Sequence, residues 1–125
     1  MNTPKLLLVE DDRDLIEMYE TKFKMEGFAV VKAENGLGVL DLVKKEKPVI
    51  VLLDIVMPEL DGFQVLKSLK ADAETKAVPV ILLTNLSQEA DIKKSAELGA
   101  ADYLVKANFT PNEVAAKVRK ILDRK

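Results

Sequence analysis

Short apolar runs alternate along the chain with segments whose apolar residues recur at helical spacing. The runs have the length and composition of strands, and they cover residues 6–9, 28–32, 49–53, 80–83 and 101–105. The fully apolar run 49–53 is typical of a strand buried on both faces of a parallel sheet. An amphipathic segment follows each run. This alternation predicts an α/β fold in which helices cover both faces of a parallel sheet.

Capping residues and glycines mark where the five predicted helices begin and end. We expect Asp12 to cap the first helix and Gly27 to end it, with an apolar face formed by Leu15, Ile16, Tyr19 and Phe23. The second helix should contain Leu37, Leu40 and Val43, and the third should follow Gly62 and contain Phe63, Val65, Leu66 and Leu69. Ser87 should cap the fourth helix, which should end near Gly99. Thr110 and Glu113 have the spacing of a capping box around Pro111, which places the start of the fifth helix. The polar residues 71–77 are expected to form a loop.

Right-handed crossovers leave few ways to order five parallel strands. We expect the flavodoxin-like (βα)5 order 2-1-3-4-5, in one domain that spans residues 1–125. In that order the first and third strands are neighbours at the switch point of the sheet. Glu10 and Asp11 follow the first strand and Asp54 follows the third, so their carboxylates are expected to surround one crevice at the carboxyl edge of the sheet.

The composition removes several classes of chemistry. The chain has no cysteine and no histidine, which excludes thiol nucleophiles, disulfides, Cys/His zinc sites and Ser-His-Asp catalysis. With 19 Lys and Arg against 21 Asp and Glu, the net charge of -2 provides no basic field for direct binding to nucleic acid or a membrane. No apolar run approaches the ~20 residues of a membrane span, and the first residues lack the layout of a signal peptide, so we expect a cytoplasmic protein.

Three carboxylates in one crevice need a proton or a positive charge nearby. Two of them about 4 Å apart repel by roughly 4 kcal/mol at an effective dielectric constant near 20. Because oxygen ligands without Cys or His favour a hard ion, these acids predict a Mg²⁺ site, in which the metal keeps several waters and accepts a phosphate oxygen. A single carboxylate at a strand end is more often a helix cap or a loop residue, so this prediction depends on the grouping of Glu10, Asp11 and Asp54.

Polar residues also end two further strands at the same edge of the sheet. Thr84 follows the run 80–83 and Lys106 follows the run 101–105. A carboxylate nucleophile, a metal, a hydroxyl donor and an ammonium are the groups that phosphoryl transfer uses, because the charge of the transferred group must be neutralised while an in-line oxygen attacks. The sequence therefore predicts chemistry on a phosphoryl group at this edge.

The same residues resemble those of the response regulator receiver domains of two-component systems, and the resemblance covers the whole chain. It rests on an ordered set formed by the acids of Val9-Glu10-Asp11-Asp12, the segment Asp54-x-x-Met57-Pro58-x-x-Asp61-Gly62, Thr84, Tyr103 and Lys106. Each element alone is common. The set in this order and spacing is specific.

The resemblance implies a role for each matching position. Asp54 would accept a phosphoryl group from a partner histidine kinase or histidine phosphotransfer protein, and Thr84 and Lys106 would contact the oxygens of that group. Mg²⁺ would be held directly by Asp11 and Asp54, through a water by Glu10, and by the backbone carbonyl of Val56. The domain would be a signalling module and not an enzyme, assisting only its own phosphorylation and dephosphorylation.

Thr84 and Tyr103 would form the switch that the resemblance implies. Phosphorylation adds roughly -1.5 to -2 charge, and a Thr84 drawn toward that charge would leave space for an inward-turning Tyr103. The surface that changes would consist of the fourth helix, fifth strand and fifth helix, which could also form a weak homodimer. The downstream output domain or protein is not indicated by the sequence.

Three features depart from the family pattern. Ala107 follows the lysine where the family has proline after a cis bond, so the loop either carries the ~2.5–4 kcal/mol of a non-proline cis bond or runs trans and re-aims Lys106 slightly. Asn85 replaces a small residue and would either narrow access to the phosphoryl group or donate a hydrogen bond to it. Val56 and Leu86 are apolar and offer no hydrogen bond to an attacking water, which predicts slow hydrolysis of the aspartyl phosphate.

Three other functions are open alternatives. A phosphatase of the haloacid dehalogenase type also uses a strand-end Asp, Mg²⁺, Thr and Lys, but it needs an acid two residues after the nucleophile, where this chain has Val56. A nucleotide or flavin module would use the near-fingerprint Gly36-Leu37-Gly38, which follows the second strand and lacks the third glycine. A degenerate receiver would act only as a docking module.

Overall fold

Strands and helices alternate strictly through residues 3–123, the part of the chain that the computed structural model describes. The strands are β1 (Lys5–Val9), β2 (Ala29–Ala33), β3 (Ile50–Leu53), β4 (Val80–Thr84) and β5 (Asp102–Val105). The helices are α1 (Arg13–Met25), α2 (Val39–Glu46), α3 (Gly62–Ala71), α4 (Glu89–Glu97) and α5 (Pro111–Leu122). A short 3-10 turn covers Lys106–Asn108 between β5 and α5.

All five strands are parallel and their order in the sheet is β2-β1-β3-β4-β5, which confirms the predicted flavodoxin-like topology. Every residue of β3 and β4 is buried, as expected for strands covered on both faces. The edge strands β2 and β5 are mostly half-buried. The carboxyl ends of β1, β3, β4 and β5 therefore lie side by side at one edge.

Side chains that alternate along the central strands face opposite sides of the sheet and form two core layers. One layer lies under α1 and α5, and its buried residues include Leu6, Leu8, Ile50, Leu52, Ile81, Leu83, Ile16, Tyr19, Phe23, Val114 and Val118. The other lies under α2 and α3, and its buried residues include Leu7, Val9, Val51, Leu53, Val80, Leu82, Val39, Val43, Val65, Leu66 and Leu69. The two layers hold the strand ends in a fixed register from both sides.

Three predicted helix ends are confirmed by their capping contacts. The Asp12 carboxylate accepts from the backbone N–H groups of the first turn of α1. Thr110 and Glu113 form the predicted capping box at the start of α5, with Pro111 as its first residue. Gly99 follows α4 with a φ of 95°, a left-handed conformation that glycine adopts without strain.

Two expectations about helix starts are wrong. Gln88, not Ser87, is the residue before α4, and it makes no side-chain capping bond. Leu37 precedes α2, which begins at Val39, and the Leu37 side chain is 55% exposed. Gly38 has a left-handed conformation (φ 77°), which leaves Leu37 outside α2, and Gln88 is still extended (ψ 145°), which places Ser87 one residue too early to cap α4.

The loop after α3 is confirmed, but it is more firmly anchored than a polar segment suggests. Thr75 is fully buried and its hydroxyl donates to the carbonyl of Leu69 at 2.6 Å. The Lys70 ammonium donates to the carbonyls of Lys76 and Val78, and burial lowers its pKa. These contacts attach the loop to the end of α3.

No helix within residues 3–123 is long and apolar enough to cross a membrane.

The contrast between Thr110 and Ser87 yields a test of the helix caps. Thr110→Ala should lower the free energy of unfolding by about 1 kcal/mol, because it removes the hydroxyl that accepts from the N–H of Glu113. Ser87→Ala, the matched control, should stay within about 0.5 kcal/mol of wild type. Urea unfolding of the three proteins measures both values, and an equal loss in the two variants would contradict this assignment of the caps.

Candidate functional site

The carboxyl ends of the strands bring the predicted polar residues to one pocket of about 410 Å³. Six of the residues predicted from sequence line it, namely Glu10, Asp11, Asp54, Val56, Thr84 and Lys106. The seventh, Tyr103, meets the same region through the backbone of Leu86. Residues more than ninety positions apart in the chain therefore share one site.

Asp54 lies directly after β3 and is held from several sides. Its backbone N–H donates to the carbonyl of Val9 at 3.1 Å, which continues the β1–β3 ladder. One carboxylate oxygen, Oδ1, accepts from the N–H of Ile55 at 2.7 Å, and the other, Oδ2, accepts from the Lys106 ammonium at 2.9 Å. Asp54 is only 6% exposed, yet it faces the pocket, so its carboxylate is oriented and reachable.

Lys106 joins two acids across the sheet edge. Its Nζ lies 2.5 Å from Glu10 Oε1 and 2.9 Å from Asp54 Oδ2. Burial acts to lower the pKa of the ammonium, but the hydrogen bonds to both carboxylates outweigh burial, so the pKa is raised. No cis peptide bond occurs in residues 3–123, so the bond before Ala107 is trans and Lys106 still reaches Asp54.

Glu10 is buried and has both oxygens engaged. Oε2 accepts from the backbone N–H groups of Asp11 and Asp12, each at 3.1 Å, and Oε1 accepts from Lys106. Burial raises the pKa of the Glu10 carboxyl; the bonds from Lys106 and Asp12 act against this rise, and the charge of Asp54 adds to it. Both carboxylate oxygens of Glu10 therefore already have hydrogen-bond partners within the protein.

The acids of the pocket fit a hard divalent ion. Glu10, Asp11 and Asp54 each offer a carboxylate oxygen, and the three oxygens lie within 4.8 Å of one another. Three carboxylate oxygens at this spacing could hold a small divalent ion that prefers oxygen ligands, such as Mg²⁺. Three carboxylates against the single ammonium of Lys106 leave an excess of two negative charges, which a divalent cation would balance.

Thr84 and Tyr103 meet at the backbone of one residue, Leu86. The Leu86 N–H points to the Thr84 hydroxyl at a long 3.4 Å, and the Leu86 carbonyl accepts from the Tyr103 hydroxyl at 2.6 Å. Thr84 is fully buried and Tyr103 is half-buried; burial, followed by the charges of Asp91 and Asp54, raises the pKa of the Tyr103 phenol. Sequence reasoning missed this link because it runs through main-chain atoms.

The rim of the pocket contains three of the positions that depart from the family pattern, Val56, Asn85 and Leu86. Val56 is 60% exposed, Leu86 is half-buried, and Asn85 is exposed beside Thr84.

The loop that carries Val56 ends in a capping box, in which Asp61 and Gln64 exchange side-chain to backbone hydrogen bonds at the start of α3. Sequence reasoning also missed this box, although the Asp-x-x-Gln spacing was its signal.

Comparisons with known proteins agree with this geometry. A family model described as the response regulator receiver domain matches residues 6–119. Probable transcriptional regulator ycf27 of Guillardia theta is 42% identical over 120 residues, which cover 96% of this chain and 46% of that protein. Protein PilH of Pseudomonas aeruginosa is 46% identical over 104 residues, which cover 82% of this chain and 84% of that protein. This chain thus spans about half the length of the Guillardia relative.

Solved structures agree as well. The crystal structure of the BeF3-activated N-terminal receiver domain of Klebsiella pneumoniae RstA matches with a TM-score of 0.88 at 30% identity, covering 97% of this chain and 99% of that one.

Removal of the ammonium that bridges Glu10 and Asp54 should lower the stability of the fold by an amount that depends on pH. Lys106→Met should lower the free energy of unfolding at about pH 7 by about 2 kcal/mol, because it leaves Glu10 and Asp54 buried without their cation. Burial already raises the pKa of Glu10, and the variant loses the Lys106 contact that opposes this rise. The folded variant therefore binds a proton at Glu10 more readily than the unfolded variant does. The loss should therefore shrink as the pH falls toward about 5 and grow as it rises.

Urea unfolding in the presence of a chelator, from about pH 8 to about pH 5, measures this dependence. Lys93→Met removes an exposed lysine of α4 and serves as the control. A difference between Lys106→Met and wild type that stays constant with pH would contradict the interpretation.

Proposed function

Because this chain belongs to the response regulator receiver domain family, we propose that Asp54 accepts a phosphoryl group from a histidine kinase or histidine phosphotransfer protein. The observation that carries the proposal is the position of the Lys106 ammonium, which contacts Asp54 and Glu10 in the pocket that also contains Asp11 and Thr84. Residues 1–125 contain no histidine, so this segment cannot itself supply the phosphohistidine. We propose that residues 1–125 form one receiver domain.

The proposed step moves one phosphoryl group between two side chains. A carboxylate oxygen of Asp54 attacks the phosphorus of the partner's phosphohistidine, a P–O bond forms, and the P–N bond breaks to leave the imidazole on the partner. The Lys106 ammonium, bound to Asp54 Oδ2, is placed to neutralise charge on the transferred group. The buried Thr84 hydroxyl faces the same pocket and would donate to another phosphoryl oxygen.

We propose Mg²⁺ as the ion of the acidic cluster. Asp11 and Asp54 would bind it directly, Glu10 would bind it through a water, and the backbone carbonyl of Val56 would be the remaining protein ligand. When bound, the ion would supply positive charge to the phosphoryl oxygens. The absence of Cys and His from the chain favours a hard ion of this kind over zinc.

We propose that Leu86 carries the signal from Thr84 to Tyr103. A Thr84 hydroxyl that turns to a phosphoryl oxygen would release the long contact from the Leu86 N–H. The same residue holds the Tyr103 hydroxyl through its carbonyl, so a shift of its peptide changes the position of the ring. The affected surface consists of α4, β5 and α5, which would contact an output domain, an output protein or, weakly, a second copy of the chain.

A signalling role is favoured over a phosphatase role. The Guillardia theta relative carries the name of a transcriptional regulator, and Val56 occupies the position where a haloacid dehalogenase phosphatase needs its acid. We therefore propose that the domain holds the phosphoryl group and loses it slowly, without turnover of small phosphoesters. Glu10, Asp54 and Lys106 keep their mutual contacts, which argues against a degenerate docking module.

Phosphorylation by a small phosphodonor tests the proposed acceptor. After incubation with acetyl phosphate and Mg²⁺, the intact mass of wild type should rise by one phosphoryl group, and that of Asp54→Ala should not. Asp41→Asn, which alters an exposed acid on α2, should behave as wild type. An unmodified wild type, or equal labelling of Asp54→Ala, would contradict the proposal.

The lifetime of the aspartyl phosphate tests the role of the apolar rim. Val56→Asn should shorten it by about tenfold, because an amide at this exposed position offers a hydrogen bond to an attacking water. Leu37→Asn, a change of the same kind at an exposed apolar residue outside the pocket lining, should leave the lifetime unchanged. Loss of the phosphoryl mass over time measures both, and an unchanged lifetime in Val56→Asn would refute this role.

A further inference from the structure

The glycine pair Gly36 and Gly38, which resembles a nucleotide-binding fingerprint, has a different use in the fold. Gly38 is the residue before α2 and has a φ of 77°, so it needs the freedom of glycine. Gly36 is buried and does not have a positive φ, so its conformation alone does not require glycine. The surroundings of Gly36 do require glycine, because a Cβ there would lie 2.5 Å from the carbonyl oxygen of Leu60 and 2.8 Å from Val65 Cγ2.

Leu60 belongs to the loop that leads from Asp54 to α3, and this loop is closed at its base. The N–H of Gly62 donates to the carbonyl of Ile55 at 2.9 Å, and a Cβ on Gly62 would collide with the main chain of Asp54. The capping box of Asp61 fixes the far end of the loop to α3. Any displacement at Leu60 must therefore be absorbed within residues 56–60.

The top of this loop is strained. Glu59 has a φ of 70°, unusual for a residue with a side chain, and the N–H of Leu60 donates to the carbonyl of Pro58 at 2.8 Å across it. Such conformations persist only where the surroundings enforce them. The backbone of Gly36, packed against the Leu60 carbonyl, is one such constraint.

We propose that Gly36 is a positioning residue for the cation site: its lack of a side chain lets the β2–α2 loop pack on Leu60 and thereby sets the path of the Val56 backbone. The inference rests on the proposed function, because it requires that the Val56 carbonyl be a ligand. A side chain at Gly36 would push Leu60 away, and the closed base would pass the displacement to Val56.

Gly36→Ala should raise the dissociation constant for Mg²⁺ by about tenfold, since the ion would lose one well-placed ligand. In the metal-free protein it should also speed amide hydrogen exchange at Leu60 and Gly62, whose N–H groups hold the loop. The control is Gly27→Ala at the end of α1, where φ is 98° and a Cβ meets nothing within 4 Å, so that strain is introduced without crowding the loop. Calorimetric titration with Mg²⁺ and exchange measured by NMR give both readouts.

The outcomes separate this inference from the proposed function. A wild type that binds no Mg²⁺ overturns both, whereas a wild type that binds it and a Gly36→Ala variant with the same affinity and the same exchange overturn the inference alone. A Gly27→Ala variant that weakens Mg²⁺ as much as Gly36→Ala does also overturns it. If Gly36→Ala does not fold, Gly36→Ala/Val65→Ala removes the 2.8 Å contact while keeping the crowding on the Leu60 carbonyl, and the same criteria apply.

Discussion

The contact of one ammonium with two buried carboxylates is the interaction on which the rest of the site depends. Lys106 comes from the end of β5, Glu10 from the end of β1 and Asp54 from the end of β3, so this bridge spans the carboxyl edge of the sheet. Buried charges are tolerated only when they are paired and hydrogen-bonded. The bridge meets this condition, and together with Asp11 the pocket keeps an excess of two negative charges, so the acidic cluster could bind a divalent cation.

The fold supports this arrangement by making the strand ends rigid. Central strands buried on both faces are held by two core layers, one under α1 and α5 and the other under α2 and α3. Because all strands are parallel, their carboxyl ends meet at the same edge, and the residues that follow them must share it. Neighbouring strand ends thus place the acids within reach of one ion, although the acids are distant in the chain.

Backbone geometry is the second constraint around the pocket. The loop after Asp54 is closed by Gly62, strained at Glu59 and packed against Gly36, so its path depends on positions where a side chain would not fit. On the other side of the pocket, the peptide of Leu86 contacts both Thr84 and Tyr103. Main-chain atoms, and not only side chains, therefore connect the site to the two loops that surround it.

The sequence alone determined the alternation of elements, the strand order, the caps at Asp12 and Thr110, and the set of residues that meet in the pocket, because these follow from local spacing and from the rules of parallel sheets. It mispredicted the starts of α2 and α4, which depend on loop paths. Only the tertiary structure decided that Lys106 reaches Asp54 without a cis bond, that Leu86 joins Thr84 to Tyr103, and that Leu60 packs on Gly36. Each of these depends on contacts between residues far apart in the chain, whose distances are set by packing and not by sequence spacing.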